Sequence, residues 1–261
     1  MPEESRRNSP EQVTCKKCSS QLSDAYCESC LTELVRATIK SYGAAISDSE
    51  TKEKLAKTDR HPADDLCVLS AMCLTKLSLK ENSTTSKELL ENPAVYYLLQ
   101  AAVLLEYAWS HSKPNSDISL MLTRLYTIMG CGSLAFRAFQ RLSVKQIQYA
   151  SLSFYMFDGI SSLHPHPFPS ESSGQERSVI DEFRHHQKIY KNSAQSINKQ
   201  CWSAFEHSNY NTILELEDFK NALAYNNSIV MSVVESRKVC RLTEPNVPLG
   251  TSSCGYDILR G

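Results

Sequence analysis

The sequence predicts an all-α protein of helical hairpins, a tetratricopeptide-like repeat solenoid with a short cysteine-rich, zinc-type segment at its amino end. Three observations carry that reading. Apolar residues recur at i, i+3 and i+4 through most of the chain, the spacing of one helical face. No run of alternating β-branched residues bounded by turn residues interrupts them. The segments 101–115 and 135–147 align at an offset of thirty-four residues, the period of the tetratricopeptide helix–turn–helix unit.

The elements follow in order. Residues 1–14 are polar and read as a disordered leader. Residues 15–30 hold two CxxC pairs. From Leu31 to Ile46, Leu31, Leu34, Val35, Thr38, Ile39 and Tyr42 line one apolar face. Asp64 and Asp65 open a helix to Leu79, where the macrodipole favours negative charge. Its Leu66, Val68, Leu69, Met72, Cys73, Leu77 and Leu79 make it apolar nearly all round, so burial between neighbours is expected. Residues 81–88 are turn-like. The next helix begins at Pro93, tolerated there because its missing N–H would be unpaired anyway. Residues 113–117 end it. Further helices are expected at 118–130, closed by Gly130, at 133–143, and as one piece at 144–163. Residues 164–176, rich in Pro and Ser, read as a loop. Residues 177–240 read as a hairpin of two long helices, 177–210 and 213–240, and residues 241–261 as a loose tail. The repeats thus occupy 31–163.

In the thirty-four-residue alignment Ala101 falls over Ala135, Leu105 over Phe139, and Ala108 over Leu142. Tyr126, Gly130, Ala135 and Phe139 keep the repeat's spacing of aromatic, turn glycine, small packing residue and aromatic. Ala135 lets two helices cross closely, and Gly130 supplies the left-handed conformation of a tight helix end. Any antiparallel helical hairpin is the alternative.

Composition limits the function. The chain has 261 residues and a net charge of -1, with none of the basic excess of a nucleic-acid binder. No stretch of about 18 apolar residues predicts a membrane span, and the start, MPEESRRNSPEQ, lacks the apolar core of a signal peptide. A cytoplasmic location is expected. The ten cysteines then read as reduced thiols, some of them metal ligands. Glycine is scarce, at 8 residues, for an α/β enzyme with phosphate-cradling loops.

Cys15, Cys18, Cys27 and Cys30 form CxxC-x8-CxxC. Four thiolates in two close pairs can complete a tetrahedral site with zinc–sulfur distances of about 2.3 Å. One structural zinc ion is expected, its tetrathiolate charge offset by Lys16 and Lys17. Four unliganded thiols are the alternative. Cys67, Cys73, Cys131, Cys201, Cys240 and Cys254 lack metal-like spacing and read mostly as packing residues.

Nothing reads as a catalytic centre. His164 and His166 lie in the Pro-rich loop, and His185 and His186 are adjacent and so point to different faces. These and His207 are expected to be solvated or capping histidines. Asp181 with Glu182, and Glu215, Glu217 and Asp218, are expected near helix starts on solvated faces. No G-x-S-x-G elbow, phosphate loop or H-E-x-x-H is present. Only Gly130-Cys131-Gly132 comes near an acetyl-CoA loop, and it lies inside the repeat.

The stretch from Asp64 to Leu163, and more loosely on to Lys238, resembles the auxiliary, non-catalytic subunit family of N-terminal acetyltransferase B (NatB) complexes. Ser112, Pro114, Asn115, Arg124, Leu125, Tyr126, Gly130, Lys145, Ile147 and Gln148 carry the resemblance. It implies a cytoplasmic scaffold that binds a separate catalytic acetyltransferase subunit and helps place it at the ribosome. The substrates implied are nascent chains beginning Met-Asp, Met-Glu, Met-Asn or Met-Gln, with acetyl-CoA held only by the catalytic partner. Members of the family are longer, so this chain reads as a portion of such a subunit. Its uncovered ends would then favour self-association. A generic helical-repeat adaptor with a structural zinc site is the rival reading.

Overall fold

The computed structural model describes residues 14–19, 26–50, 55–56, 58–81, 93–145, 148–168 and 177–243. Most of the leader, residues 169–176, residues 244–261 and Cys254 lie outside them. The described residues are mostly helical and include no strand, only isolated bridges such as the antiparallel one between Phe168 and Arg177. The chain divides into two units, residues 1–118 and 119–261.

In the first unit α1 (Glu28–Ser47), α2 (Asp64–Glu81) and α3 (Pro93–His111) pack in sequence, α2 between the other two. The α1 face is narrower than its periodicity predicts. It buries Val35, Thr38, Tyr42 and Ile46 but leaves Leu34 and Ile39 exposed, because a helix resting mainly on one neighbour buries only one stripe. Thr38 Oγ1 and Ser70 Oγ, 2.6 Å apart, pin α1 to α2. The expectation that α2 is buried all round needs correction. It buries Cys67, Ala71, Leu74 and Leu77 between its two neighbours, while Leu69, Met72 and Leu79 face solvent. Along α3 the small residues Ala94, Ala101 and Ala108 are buried with Leu105. Small side chains at that spacing let two helices approach closely.

The turn after α3 is built by the residues that carry the family resemblance. Ser112 Oγ accepts the His61 N–H at 3.1 Å. Asn115 Oδ1 accepts the N–H groups of Asp117 (3.0 Å) and Ile118 (3.3 Å), and so caps α4 (Ser116–Ile128). Its Nδ2 donates to the buried Asp64 carboxylate at 2.8 Å.

In the second unit α4 ends on Gly130, at φ 75°. Cys131 N–H donates to the Tyr126 carbonyl (2.8 Å) and Gly130 N–H to that of Thr127 (3.1 Å), the paired bonds of a Schellman cap. After it, α5 (Gly132–Arg141) buries Ala135, Phe136, Ala138 and Phe139. Phe139 meets Phe157 edge-on at 5.7 Å and Tyr149 at 6.3 Å.

The single helix expected over 144–163 is three short ones, α6 (Gln148–Leu152), α7 (Phe154–Phe157) and α8 (Ile160–Leu163). Asp158 is extended and Gly159 left-handed at φ 70°, which ends one helix and starts the next. The Pro-rich loop is anchored at its ends: Phe168 and Arg177 exchange backbone hydrogen bonds of 2.8 and 2.9 Å. Phe168 is also buried, stacked on Phe136 at 3.9 Å.

The two long helices expected over 177–240 are α9 (Val179–Glu206), α10 (Tyr210–Ala224) and α11 (Asn227–Thr243). Asn226 Oδ1 accepts the Ser228 N–H at 2.8 Å, a new cap that breaks the second stretch. Glu235 then ties α11 to α8, its buried carboxylate accepting the Ser161 N–H at 3.1 Å and Lys238 Nζ at 2.6 Å.

Candidate metal centre

The four cysteines of the paired CxxC motif come together. Among the described residues Cys15, Cys18, Cys27 and Cys30 form a group able to hold a metal ion, their sulfurs all within 4.8 Å of one another. Cys15 and Cys30 Sγ are 3.7 Å apart, Cys18 and Cys30 3.7 Å, and Cys18 and Cys27 3.2 Å. A tetrahedral zinc site with bonds of about 2.3 Å has sulfur–sulfur edges of about 3.8 Å. The donor set and its spacing therefore fit a four-thiolate ion with no coordination position left open.

Local structure explains how two short motifs reach one point. Cys15 to Cys18 form a tight turn, closed by the Ser19 N–H on the Cys15 carbonyl at 2.8 Å, with Ser19 left-handed at φ 56°. Cys27 is the N-cap of α1 yet makes no side-chain capping bond, so its sulfur is available to the centre. Cys30 lies one turn into the same helix.

The backbone N–H groups of Cys18 and Lys17 hold the Cys15 thiol below its ordinary pKa. Hydrogen bonds to Cys18 and Cys15 push Cys30 up to about 12. A cation entering the group must displace that retained proton, so affinity rises with pH. Lys17 ion-pairs with Glu33 of α1 at 3.1 Å, and its charge still acts on Cys30 and Cys15. Lys16 is exposed.

The other candidates are scattered. His185 is exposed and His186 fully buried, so the two do point to different faces. His186 is nevertheless no solvated histidine. It sits between Tyr149 and Tyr190, with ring centroids at 5.2 and 5.1 Å, and neither ring nitrogen has a hydrogen-bond partner among the described residues. Burial, with the neighbouring His185 charge, lowers its pKa to about 4. His207 Nδ1 meets the Ser203 carbonyl at 2.7 Å, a capping contact. His164 Nε2 is 2.6 Å from Ser133 Oγ. Asp181 and Glu182 do lie in the first turn of α9, Asp181 exposed as expected but Glu182 largely buried and paired with Arg177 at 3.4 Å. Glu215, Glu217 and Asp218 are exposed as expected, but mid-helix in α10 rather than at a start.

Gly132 was legible only as part of a near-match to a cofactor loop. Its role is packing: a Cβ there would stand 2.5 Å from His164 Cβ. Cys67, Cys73 and Cys240 are buried, as packing residues should be, and Cys131 and Cys201 half-buried.

The described residues define a protein of packed helices with a four-cysteine group able to hold a metal ion. The chain belongs to the family of N-acetyltransferase B complex (NatB) non-catalytic subunits, which it matches over residues 2–253. It is similar to the N-terminal acetyltransferase B complex subunit MDM20 of Saccharomyces cerevisiae, at 26% identity over 178 residues, 65% of this chain and 22% of that protein. The corresponding subunit arm1 of Schizosaccharomyces pombe is 26% identical over 147 residues, 56% of this chain and 17% of that protein. The Phagocyte signaling-impaired protein of Drosophila pseudoobscura pseudoobscura is 30% identical over 101 residues, 39% of this chain and 9% of that protein. The chain thus spans 9–22% of the length of these relatives. No helix among the described residues is long and apolar enough to cross a membrane.

Proposed function

We propose that this chain acts as a scaffold in a NatB complex, binding the catalytic acetyltransferase subunit and helping to hold it near the ribosome. Nascent chains beginning Met-Asp, Met-Glu, Met-Asn or Met-Gln are then acetylated in the cytoplasm as they emerge, with acetyl-CoA bound by the catalytic partner alone. The observation that carries this reading is the family match over residues 2–253. Exposed apolar side chains support it. On α3, Tyr96, Leu99 and Val103 are exposed along one helical stripe. In the second unit Trp202 and Phe205 of α9, in edge-on contact at 6.2 Å, are 71% and 56% exposed, and Leu214 of α10 is 68% exposed. Large exposed apolar groups of this kind mark surfaces that partners cover.

Within this reading the thirty-four-residue spacing is a tetratricopeptide-like repeat, and Cys15, Cys18, Cys27 and Cys30 hold one structural zinc ion per chain. A tagged pull-down from cytosol, read by mass spectrometry, tests it. Recovery of a small acetyltransferase subunit, with ribosomal proteins, is expected. Recovery of other partners without an acetyltransferase would favour a generic adaptor.

A further inference from the structure

Helix α1 is held unevenly along its length. Its buried residues, Val35, Thr38, Tyr42 and Ile46, all lie beyond its second turn, and none of the residues from Glu28 to Leu34 is buried. A short stretch of helix without packing is marginal in water. Leu31 and Thr32 are only half-buried there, and the cysteine centre and its tethers meet these turns. Cys27 and Cys30 lie at the helix start, and Lys17 beside Cys18 pairs with Glu33 at 3.1 Å. Tyr26, next to Cys27, donates its hydroxyl to the Lys76 carbonyl of α2 at 2.9 Å.

We propose that metal binding by Cys15, Cys18, Cys27 and Cys30 is a clasp that substitutes for core packing at the amino end of α1 and, through Tyr26, seats that end on α2. The clasp rests on the zinc reading above. With the ion bound, the 15–18 turn and the first turn of α1 become one cross-linked piece. Without it, residues 28–34 fray as far as Val35, while the packed remainder of α1 stays on α2. Binding and helix formation are linked: the thiolates gain from the positive end of the helix, and the folded turn presents Cys27 and Cys30 together. The unit therefore carries a metal-dependent edge on a metal-independent body.

Hydrogen–deuterium exchange on the whole chain tests this. It is measured with one equivalent of zinc, after chelation, and in Cys18→Ser and Tyr26→Phe. Metal analysis and the charge-transfer absorption of the cobalt-loaded protein report binding separately. The expected result is one ion per chain, with exchange in residues 28–34 slowed about tenfold or more by the metal and residues 35–46 unchanged. Tyr26→Phe should still bind one ion but lose part of that protection. Absence of stoichiometric metal would overturn the zinc reading and the clasp together. One bound ion with unchanged exchange in 28–34 would overturn the clasp alone. Loss of protection throughout α1 and α2 on chelation would also overturn it, since the ion would then support the whole unit.

Discussion

At the scale of single residues, three glycines separate backbone need from spatial need. Gly130 is left-handed and closes the Schellman cap of α4, a role its place directly after an apolar helical run announces. Gly132 admits no Cβ because His164 stands 2.5 Å away. Gly43 lies exposed inside α1 with nothing within 4 Å. Gly132→Ala should destabilise by about 1–3 kcal/mol, whereas Gly43→Ala should stabilise by about 0.5–1 kcal/mol; denaturant melts of the two variants check the opposite signs.

His186 sets an acid limit. Its folded pKa, about 4, lies below the unfolded value of about 6.5. The unfolded chain therefore binds the extra proton between those values, and stability present above pH 6.5 falls as pH drops toward 4. The loss is about 3 kcal/mol, and His186→Phe should abolish that part of the pH dependence. Neither Gly132 nor His186 was legible in the sequence. The first depends on a contact across 32 positions. For the second, periodicity separates the faces of His185 and His186 without saying which one meets Tyr149 and Tyr190.

At the scale of elements, helices were legible and their interruptions less so. The starts at Asp64 and Pro93 carry chemical signals, a first-turn carboxylate and a first-position proline, whereas the Asn115 cap was hidden in a segment that reads only as a helix break. The breaks at Gly159 and Asn226 lie in stretches whose apolar periodicity continues across them, so a pattern reading joins what the backbone separates. Asn115 joins two elements as well as capping one. Asn115→Ala removes the cap of α4 and takes a donor from the buried Asp64 carboxylate, an expected loss of about 2–4 kcal/mol. Asn115→Asp keeps the cap oxygen but sets a second carboxylate beside Asp64, so it should also destabilise at neutral pH. Thermal melts of both variants distinguish this double role from capping alone, in which the Asp variant would be nearly neutral.

At the scale of the whole molecule, the CxxC-x8-CxxC spacing was enough to find the cysteine centre, because metal-ligand geometry is local. The tethers that give it structural consequence, Tyr26 on Lys76 and Lys17 on Glu33, were not visible until the helices were in place. Membership of the NatB non-catalytic family was legible in residues from Ser112 to Gln148, of which Ser112, Asn115 and Gly130 build turns and caps, while Ile147 lies outside the described residues. The grip proposed here on a catalytic acetyltransferase can be measured by titration calorimetry of the purified, zinc-loaded chain against a purified catalytic NatB subunit. A one-to-one complex with a dissociation constant of about 1 μM or tighter is expected. A folded chain that gives no binding heat at any temperature, and no shared elution with the catalytic subunit, would contradict it.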